Sequence, residues 1–197
     1  MRSLVVFTHP DKDALTGRIA REVAAGSRQA GNTADVVDLS AESFDPRFTL
    51  EDIGTSQHGG TLGKEVRREQ DRLDQADALV LVFPVYWWAM PALLKGWIDR
   101  VFSNGWAFEA DAEGGVVGKL EHLDIYLVAI GGADLRTYEK HGYWAAMKAQ
   151  IEQGIFAYCG ARSVTLELLL PDNQTRGTAH LRRAHAIGAS LGHLQDA

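Results

Sequence analysis

Three consecutive aromatic residues, Tyr86, Trp87 and Trp88, lie between Pro84 and Pro91. An apolar run ends at the first proline and a helical pattern resumes after the second, which predicts a loop between a strand and a helix. A loop rarely carries three large aromatic side chains unless something covers them, and a flat ring fits such a wall. Aromatic clusters are more often part of a core, but the position of this one at a strand end favours binding of a flat ligand.

The glycine pair Gly131-Gly132, which follows another apolar run, is a second candidate for chemistry. Glycine has no side chain, so the backbone here can approach a ligand closely. A flat redox ring needs backbone donors near the polar edge where negative charge collects on reduction. Tyr138 and His141 follow the pair and could donate hydrogen bonds to an oxyanion that develops on a substrate. The alternative for these two residues is an ordinary surface loop.

The turn after the first apolar run could hold a phosphate. His9 and Thr16 flank a predicted helix start, where backbone N–H groups and the helix dipole attract anions. Neither a G-x-x-x-x-G-K-[ST] loop nor a G-x-G-x-x-G fingerprint is present there, which disfavours P-loop nucleotidases and dinucleotide-fingerprint dehydrogenases. The alternative is a plain strand-to-helix turn, with Asp11 or Asp13 as the predicted N-cap.

Composition restricts the class of protein further. The 197 residues are 46% apolar and 23% charged, which is ordinary for one globular domain, predicted to span 1–197. The net charge of −6 disfavours nucleic acid as a partner. The single cysteine, Cys159, fits a reducing compartment, and no apolar run approaches the ~20 residues of a membrane span, so we expect a cytoplasmic protein without membrane insertion. The histidines form no metal-ligand spacing with carboxylates, and we expect no metal site.

Five predicted strands alternate with helical patterns along the chain. This alternation predicts an α/β fold with a five-stranded, mostly parallel, doubly wound sheet. Ligands of such sheets bind at the carboxyl ends of the strands. The three candidate loops each follow a strand, so they should converge on one edge. The predicted strands are 4–8, 36–39, 78–83, 123–130 and 163–170.

Helical spacing of apolar residues predicts the helices between these strands. The first begins near Leu15 and closes at Gly31, and the others are predicted at 63–75, 91–102, 144–158 and 179–194. Segment 40–60 shows no sustained period. Because unstructured loops longer than about 12–15 residues are uncommon in compact domains, we expect this segment to have a functional or interface role. Residues 113–115 are predicted to form a turn.

The aromatic loop and the helix after it carry a longer pattern, Phe83-Pro84-x-x-Trp87-x-x-x-Pro91-Ala92-x-Leu94-Lys95-Gly96-Trp97-x-Asp99-Arg100-Val101-Phe102. With these residues the sequence resembles the flavodoxin-like NAD(P)H:quinone oxidoreductases, over nearly its whole length. Gly131-Gly132 and Tyr158-Cys159-Gly160 are part of the same resemblance. It implies a flavodoxin-like three-layer sandwich, a noncovalently held flavin, and a homodimer whose two sites lie at the subunit interface.

The resemblance also implies a reaction and the residues that carry it. Hydride would pass from NAD(P)H to the flavin and then to a quinone or similar flat acceptor, in a two-electron ping-pong cycle. FAD is slightly favoured over FMN, because segment 40–60 resembles that of the FAD-using members. The predicted catalytic residues are Tyr138, His141 and Trp87, and the predicted substrate-binding residues are Trp88, Trp106, Phe108 and His141. The predicted cofactor-binding residues are His9, Leu15, Thr16, Gly17, Pro84, Val85, Tyr86, Trp87, Trp88, Gly131, Gly132 and Tyr138.

The sequence departs from the family pattern at three places. Ala14-Leu15-Thr16 stands where the family usually has Ser-Phe-Asn, Ile130 where it has Thr, and Phe108 where it has a tyrosine of the acceptor pocket. The run 102–107 is similar to that of ancillary subunits of potassium efflux systems, so a regulatory flavoprotein associated peripherally with such a transporter is the alternative. An electron-carrying flavodoxin is disfavoured by the aromatic pocket.

Overall fold

A five-stranded sheet forms the centre of the structure, a computed structural model that describes residues 1–58, 62–111, 113–171 and 177–192, with side chains for all of these except 55–58. Its strands are β1, β2, β3, β6 and β7, and a separate short antiparallel hairpin contains β4 and β5. The seven strands are β1 (Arg2–Phe7), β2 (Thr33–Asp38), β3 (Ala78–Pro84), β4 (Phe108–Ala110), β5 (Val116–Gly118), β6 (Asp124–Ile130) and β7 (Ser163–Leu169).

The order of strands in the sheet is β2-β1-β3-β6-β7, and every neighbouring pair is parallel. The chain runs outward from β1 to β2 and then returns to the other side of β1 to form β3. The strand order therefore reverses between β1 and β3, which is where ligands bind in doubly wound sheets. The predicted α/β fold with its five-stranded sheet is confirmed.

Strands β1, β3 and β6 are mainly apolar because both of their faces are covered. Every residue from Ala78 to Phe83 of β3 is inaccessible to solvent. In β1, Leu4 and Val6 belong to the core on one side of the sheet, while Val5 and Phe7 belong to the core on the other. Continuous apolar runs of this kind are expected for parallel strands between two layers of helices.

Helices cover both faces and complete the three layers. Helices α1 and α7 pack on one face through residues such as Ile19 and Ile187, and α3, α4 and the helix after Gly142 pack on the other. That helix begins as α6 and continues directly as a π-helix over Lys148–Ala157. The α-helices are α1 (Leu15–Gln29), α2 (Leu50–His58), α3 (Lys64–Asp74), α4 (Ala92–Val101), α5 (Leu135–Lys140), α6 (Tyr143–Met147) and α7 (Thr178–Ser190).

Helix α2 lies inside segment 40–60, where the sequence indicated no regular period. Its apolar residues Leu50 and Ile53 are exposed, whereas Asp52 is 7% exposed. The Asp52 carboxylate accepts a hydrogen bond of 2.9 Å from Nε of Arg100 on α4. Nη1 of Arg100 also donates to the carbonyl of Asp45 at 2.8 Å. The residue that α2 turns inward is therefore polar, and an apolar periodicity could not reveal this helix.

Other local predictions differ from the structure in detail. Ala14, and not Asp11 or Asp13, is the N-cap of α1, because the Asp11 carboxylate instead accepts a hydrogen bond of 2.9 Å from the Asp13 N–H. Helix α5 was not predicted. It has six residues and buries Tyr138, so it shows no repeated apolar spacing. The predicted turn at 113–115 lies between β4 and β5. Helix α7 ends at Ser190, and the predicted extension to residues 193 and 194 lies outside the described residues.

Cys159 packs as a small apolar side chain, as its burial to 3% exposure shows. Burial raises the pKa of its thiol to about 11, so the reactive thiolate form is disfavoured at neutral pH.

Within the described ranges, no helix has the length and apolar character needed to cross a bilayer. The same ranges contain no group of three or more histidine, cysteine or acidic residues arranged to hold a metal ion.

Candidate active site

A cleft of about 230 Å³ opens at the carboxyl edge of the sheet, between the loops that follow β3 and β6. The two loops meet because β3 and β6 are hydrogen-bonded neighbours in which Pro84 lies opposite Ile130. The N–H of Val85 extends this pairing by donating to the carbonyl of Ile130 at 2.9 Å. The lining residues are Val85, Trp87, Trp88, Gly132, Ala133 and Tyr138.

The aromatic loop is a tight turn that closes between Tyr86 and Ala89. The N–H of each donates to the carbonyl of the other, at 3.0 and 3.1 Å. Between them, Trp87 has φ of 49° and Trp88 has φ of 64°. Turns with two positive φ angles normally contain Asn and Gly, and a larger residue held in this region costs about 1–3 kcal/mol. Strain of this kind is found at sites where the position of a side chain matters to function.

The turn directs its two tryptophans differently. Trp87 is 93% exposed at the mouth of the cleft. Trp88 instead stacks on Tyr143, with ring centroids 3.9 Å apart and planes 15° apart, and meets the edge of Tyr138 at 5.3 Å. Trp88 is therefore a fixed part of the wall, and Trp87 is an aromatic surface that protein does not cover in this chain.

The two glycines of the diglycine turn also differ. Gly131 is buried, and its N–H donates to the carbonyl of Leu169 at 2.9 Å. A Cβ atom on Gly131 would lie 2.7 Å from the Tyr138 hydroxyl oxygen, whereas a Cβ atom on Gly132 would meet nothing within 4 Å. Gly132 is thus the one of the pair that faces the cleft, and Gly131 makes room for Tyr138.

Tyr138 and His141 lie at the two ends of one short stretch but in different environments. Tyr138 is 1% exposed, and burial raises the pKa of its phenol, so it keeps its proton at neutral pH. His141 is exposed at the end of α5 and stacks on Tyr143 with a centroid distance of 5.3 Å. Tyr138 lines the cleft, while His141 stands behind the Trp88–Tyr143 stack.

The turn after β1 lies beside the aromatic loop, because β1 and β3 are neighbours. Nδ1 of His9 accepts a hydrogen bond of 3.0 Å from the Asp11 N–H. Thr16 is buried and Leu15 is half-buried at the start of α1. A Cβ atom on Gly17 would lie 2.3 Å from the Lys12 carbonyl, so this glycine lets the turn fold closely over the helix. The first turn of α1 carries no acidic residue.

Two predicted substrate residues, Trp106 and Phe108, are not brought to this cleft within one chain. Nε1 of Trp106 donates to the Asp74 carboxylate on α3 at 3.0 Å. Phe108 begins the β4–β5 hairpin and meets Tyr158 at a centroid distance of 5.5 Å. Both are half-buried and lie beyond the far end of α4, which runs away from the aromatic loop.

Two residues of the site were given no role from the sequence. Ala133 lines the cleft directly after the diglycine turn. Tyr143 supports Trp88 by stacking, and it also contacts His141. Two sequence signals could have indicated these residues. Ala133 directly follows the two candidate glycines, and aromatic residues are dense between Tyr138 and Trp144. Neither signal shows which ring stacks on which.

The sequence is similar to those of known proteins. The sequence model of the family described as having a flavodoxin-like fold matches residues 1–187. An uncharacterised NAD(P)H oxidoreductase from Haemophilus influenzae is 31% identical over 169 residues, which is 85% of this chain and 83% of that protein. Human ribosyldihydronicotinamide dehydrogenase [quinone] is 28% identical over 179 residues, 80% of this chain and 76% of that protein.

The fold is also similar to solved structures. An NAD(P)H:quinone oxidoreductase from Methanothermobacter marburgensis superposes with a TM-score of 0.87 and 27% sequence identity. The match covers 97% of this chain and 98% of the chain in that structure. The similarity therefore extends over all three layers of the sandwich and includes the edge where the cleft lies.

Proposed function

The chain belongs to the flavodoxin-like fold family, and on that premise we propose that it is an NAD(P)H:quinone oxidoreductase that works with a bound flavin. The observation that carries the proposal is the cleft in which the strained Trp87–Trp88 turn faces Gly132 across the carboxyl edge of the sheet. Relatives named as NAD(P)H oxidoreductases and quinone dehydrogenases support the same activity.

The residues of the cleft fit a flavin ring. Trp87 offers an exposed aromatic surface, and the open space at Gly132 admits a ring edge against the backbone. The nearby start of α1 would hold a phosphate group through its backbone N–H groups and the helix dipole, with His9 and Thr16 beside it. A flavin bound there would supply two-electron hydride chemistry between a nicotinamide and a quinone.

The chain's own residues would provide binding, exclusion of water and a proton donor. Trp88, held on Tyr143, closes the inner wall of the cleft with an apolar surface. The Tyr138 phenol stays protonated, because burial raises its pKa, and it can donate a hydrogen bond to an oxygen that gains negative charge. His141 is exposed and stacks on Tyr143 without lining the cleft, so we assign it support of the Trp88–Tyr143 wall and no contact with the substrate.

We infer that a second copy of this chain completes the acceptor pocket with its Trp106 and Phe108. These residues are remote from the cleft of their own chain, and several apolar residues near the hairpin and α2 are exposed. The exposed residues are Phe48, Leu50, Ile53, Val116, Val117 and Tyr158. A homodimer would cover them, and sedimentation analysis at micromolar concentration is expected to give twice the chain mass of 21.6 kDa.

The central experiment is an absorbance spectrum of the purified protein, followed by mass identification of the released cofactor. We expect the spectrum of a flavin. We expect the released cofactor to be FAD, because segment 40–58 is folded against α4 and resembles that of FAD-using members. Release of FMN would contradict the choice of FAD but not the proposed function. Oxidation of NADH or NADPH is then measured with menadione as acceptor. A colourless protein that binds neither flavin and leaves both nicotinamides unoxidised would overturn the proposed function.

A further inference from the structure

A tyrosine with no role in the cleft of its own chain, Tyr158, stands at the end of the π-helix. It is 48% exposed, and its hydroxyl has no hydrogen-bond partner among the described residues. Its ring meets that of Phe108 edge-on, with centroids 5.5 Å apart and planes at 65°. We refer to Phe108 and Tyr158 as the aromatic pair.

The aromatic pair lies on a groove between α4 and the end of the π-helix. The groove has a volume of about 210 Å³, and both rings line it. Its charged lining residues, Lys95 and Asp99, are bonded to each other at 2.5 Å. Among the described residues of this groove, Tyr158 is therefore the one that offers an uncommitted hydroxyl.

Backbone packing fixes Tyr158 relative to the β4–β5 hairpin. In the hairpin, Phe108 lies opposite Gly118. A Cβ atom on Gly118 would lie 2.3 Å from the backbone nitrogen of Gly160, two residues after Tyr158. Gly160 has φ of 75°, which favours glycine. The hairpin and the end of the π-helix are therefore one rigid unit, and a surface that receives Phe108 also receives Tyr158.

The hydroxyl of Tyr158 stands beside a position that lacks one. Phe108 occupies the place where the family pattern has a tyrosine of the acceptor pocket. Both carbonyl oxygens of a quinone gain negative charge on reduction, and each then favours a hydrogen-bond donor. Among the described residues that line the cleft, Tyr138 carries the only side-chain hydroxyl. The second quinone oxygen therefore has no hydroxyl donor from the chain that forms the cleft.

We propose that Tyr158 of a second copy of this chain determines the specificity of the acceptor pocket. Its hydroxyl donates a hydrogen bond to the quinone oxygen that Tyr138 does not reach. This role rests on the proposed function, which supplies the second copy that presents Phe108. It favours acceptors with two oxygen atoms on opposite sides of a flat ring over acceptors that lack the second oxygen.

The first test measures kcat/KM for the acceptor, which in a ping-pong cycle reports the half-reaction of the acceptor alone. Tyr158→Phe keeps the ring and is expected to lower kcat/KM for menadione about fivefold, the usual worth of one hydrogen bond. With ferricyanide, an inorganic acceptor without a carbonyl oxygen, the change should stay below about twofold. An unchanged menadione value, or an equal loss with both acceptors, would overturn the proposal.

A double variant tests the hydroxyl itself. Phe108→Tyr combined with Tyr158→Phe moves the hydroxyl to the other ring of the aromatic pair. Its kcat/KM for menadione is expected to recover to within about twofold of the parent value, because the pocket again contains one donor at this place. A double variant as slow as Tyr158→Phe would refute recognition by the hydroxyl.

Mixed dimers test whether the hydroxyl comes from the second copy. Two affinity tags select dimers of one Tyr138→Phe chain and one Tyr158→Phe chain. If Tyr158 serves the cleft of the other chain, one cleft keeps both hydroxyls and about half of the parent kcat/KM should remain. With both substitutions in one chain and a parent chain as partner, neither cleft keeps both, and less than about a quarter should remain. Equal or reversed values would overturn the proposal.

The parent protein separates this role from the proposed function. A parent without bound flavin and without turnover would overturn the proposed function, and the role of Tyr158 with it. A parent that is active as a monomer would overturn the role of Tyr158 alone. An active dimeric parent whose menadione kinetics equal those of Tyr158→Phe would do the same.

Discussion

The hydroxyl oxygen of Tyr138 lies 2.7 Å from the place that a Cβ atom would occupy on Gly131. The next residue, Gly132, would point a Cβ atom into open space. Two adjacent glycines therefore have separate roles at one strand end. Gly131 lets a buried phenol reach the sheet edge, and Gly132 leaves the cleft open beside it.

Gly131→Ala is expected to lower the free energy of unfolding by about 1–3 kcal/mol, because the new methyl group overlaps Tyr138 and Leu170. The backbone has little freedom to move away, since the Gly131 N–H is bonded to Leu169. Gly132→Ala is the matched control and should change stability by less than about 0.5 kcal/mol. Urea unfolding of both variants measures the difference, and equal destabilisation would contradict the separate roles.

Trp87→Ala is expected to weaken flavin binding roughly tenfold while leaving the unfolding midpoint nearly unchanged. The reason is that the Trp87 side chain is 93% exposed and packs on little of its own chain. Fluorescence titration of the flavin-free protein measures the affinity, and thermal unfolding measures the fold. Unchanged affinity in a folded variant would remove Trp87 from the cofactor wall.

Trp97→Ala, in contrast to Trp87→Ala, is expected to destabilise the fold. Trp97 is fully buried on α4, meets Phe102 edge-on at 5.7 Å and places Nε1 3.3 Å from a Glu69 carboxylate oxygen. Its removal is expected to cost about 3–5 kcal/mol of unfolding free energy. Chemical denaturation gives the value, and a loss as small as that of Trp87→Ala would show that Trp97 does not anchor α4 in the core.

Acid should weaken the attachment of segment 40–58 to α4. Burial alone raises the pKa of Asp52, but hydrogen bonds from Arg100 and Thr49 outweigh it, and the pKa lies below its ordinary 3.8. Because the folded pKa is the lower one, this stabilisation is complete above the unfolded pKa and is lost as pH falls through the folded pKa.

Asp52→Asn should therefore be less stable than the parent at pH 7 and should lose less stability between pH 5 and acidic pH. Urea unfolding over that range measures how the unfolding free energy of each protein depends on pH. Asp71→Asn, at an exposed aspartate of α3, is the control and should keep the parent slope. Identical acid slopes for Asp52→Asn and the parent would contradict the attachment through Arg100.

Tyr138→Phe is expected to lower kcat/KM for menadione roughly tenfold or more, the worth of a hydrogen bond to a charged oxygen. Burial raises the pKa of this phenol, so loss of its proton should affect turnover only at pH values above about 10. Steady-state kinetics from pH 6 to pH 10.5 measure the profile. A parent protein and a Tyr138→Phe variant with the same rates would exclude the phenol as a donor.

Much of the fold could be predicted from local pattern. The inner strands β1, β3 and β6 are nearly continuous apolar runs because both of their faces are covered, and that pattern is visible in the sequence. Pro84, Pro91 and the diglycine turn mark strand ends by their backbone chemistry alone. The placement of three candidate loops at one sheet edge follows from these features together.

What local pattern could not predict depends on partners that are distant in the chain. Helix α2 turns Asp52 inward because Arg100, 48 residues away, is there to pair with it. The stack of Trp88 on Tyr143 depends on the neighbouring positions of β3 and β6.

By itself, the sequence determined the α/β fold, the five strands, the sheet edge that carries the candidate site and the residue types available there. Only the tertiary structure decided that Trp87 faces outward and Trp88 inward, that Gly131 accommodates Tyr138, and that Trp106 and Phe108 lie away from their own cleft. The physical reason is that apolar periodicity reports burial along one segment, whereas side-chain direction and pairing are set by contacts between segments.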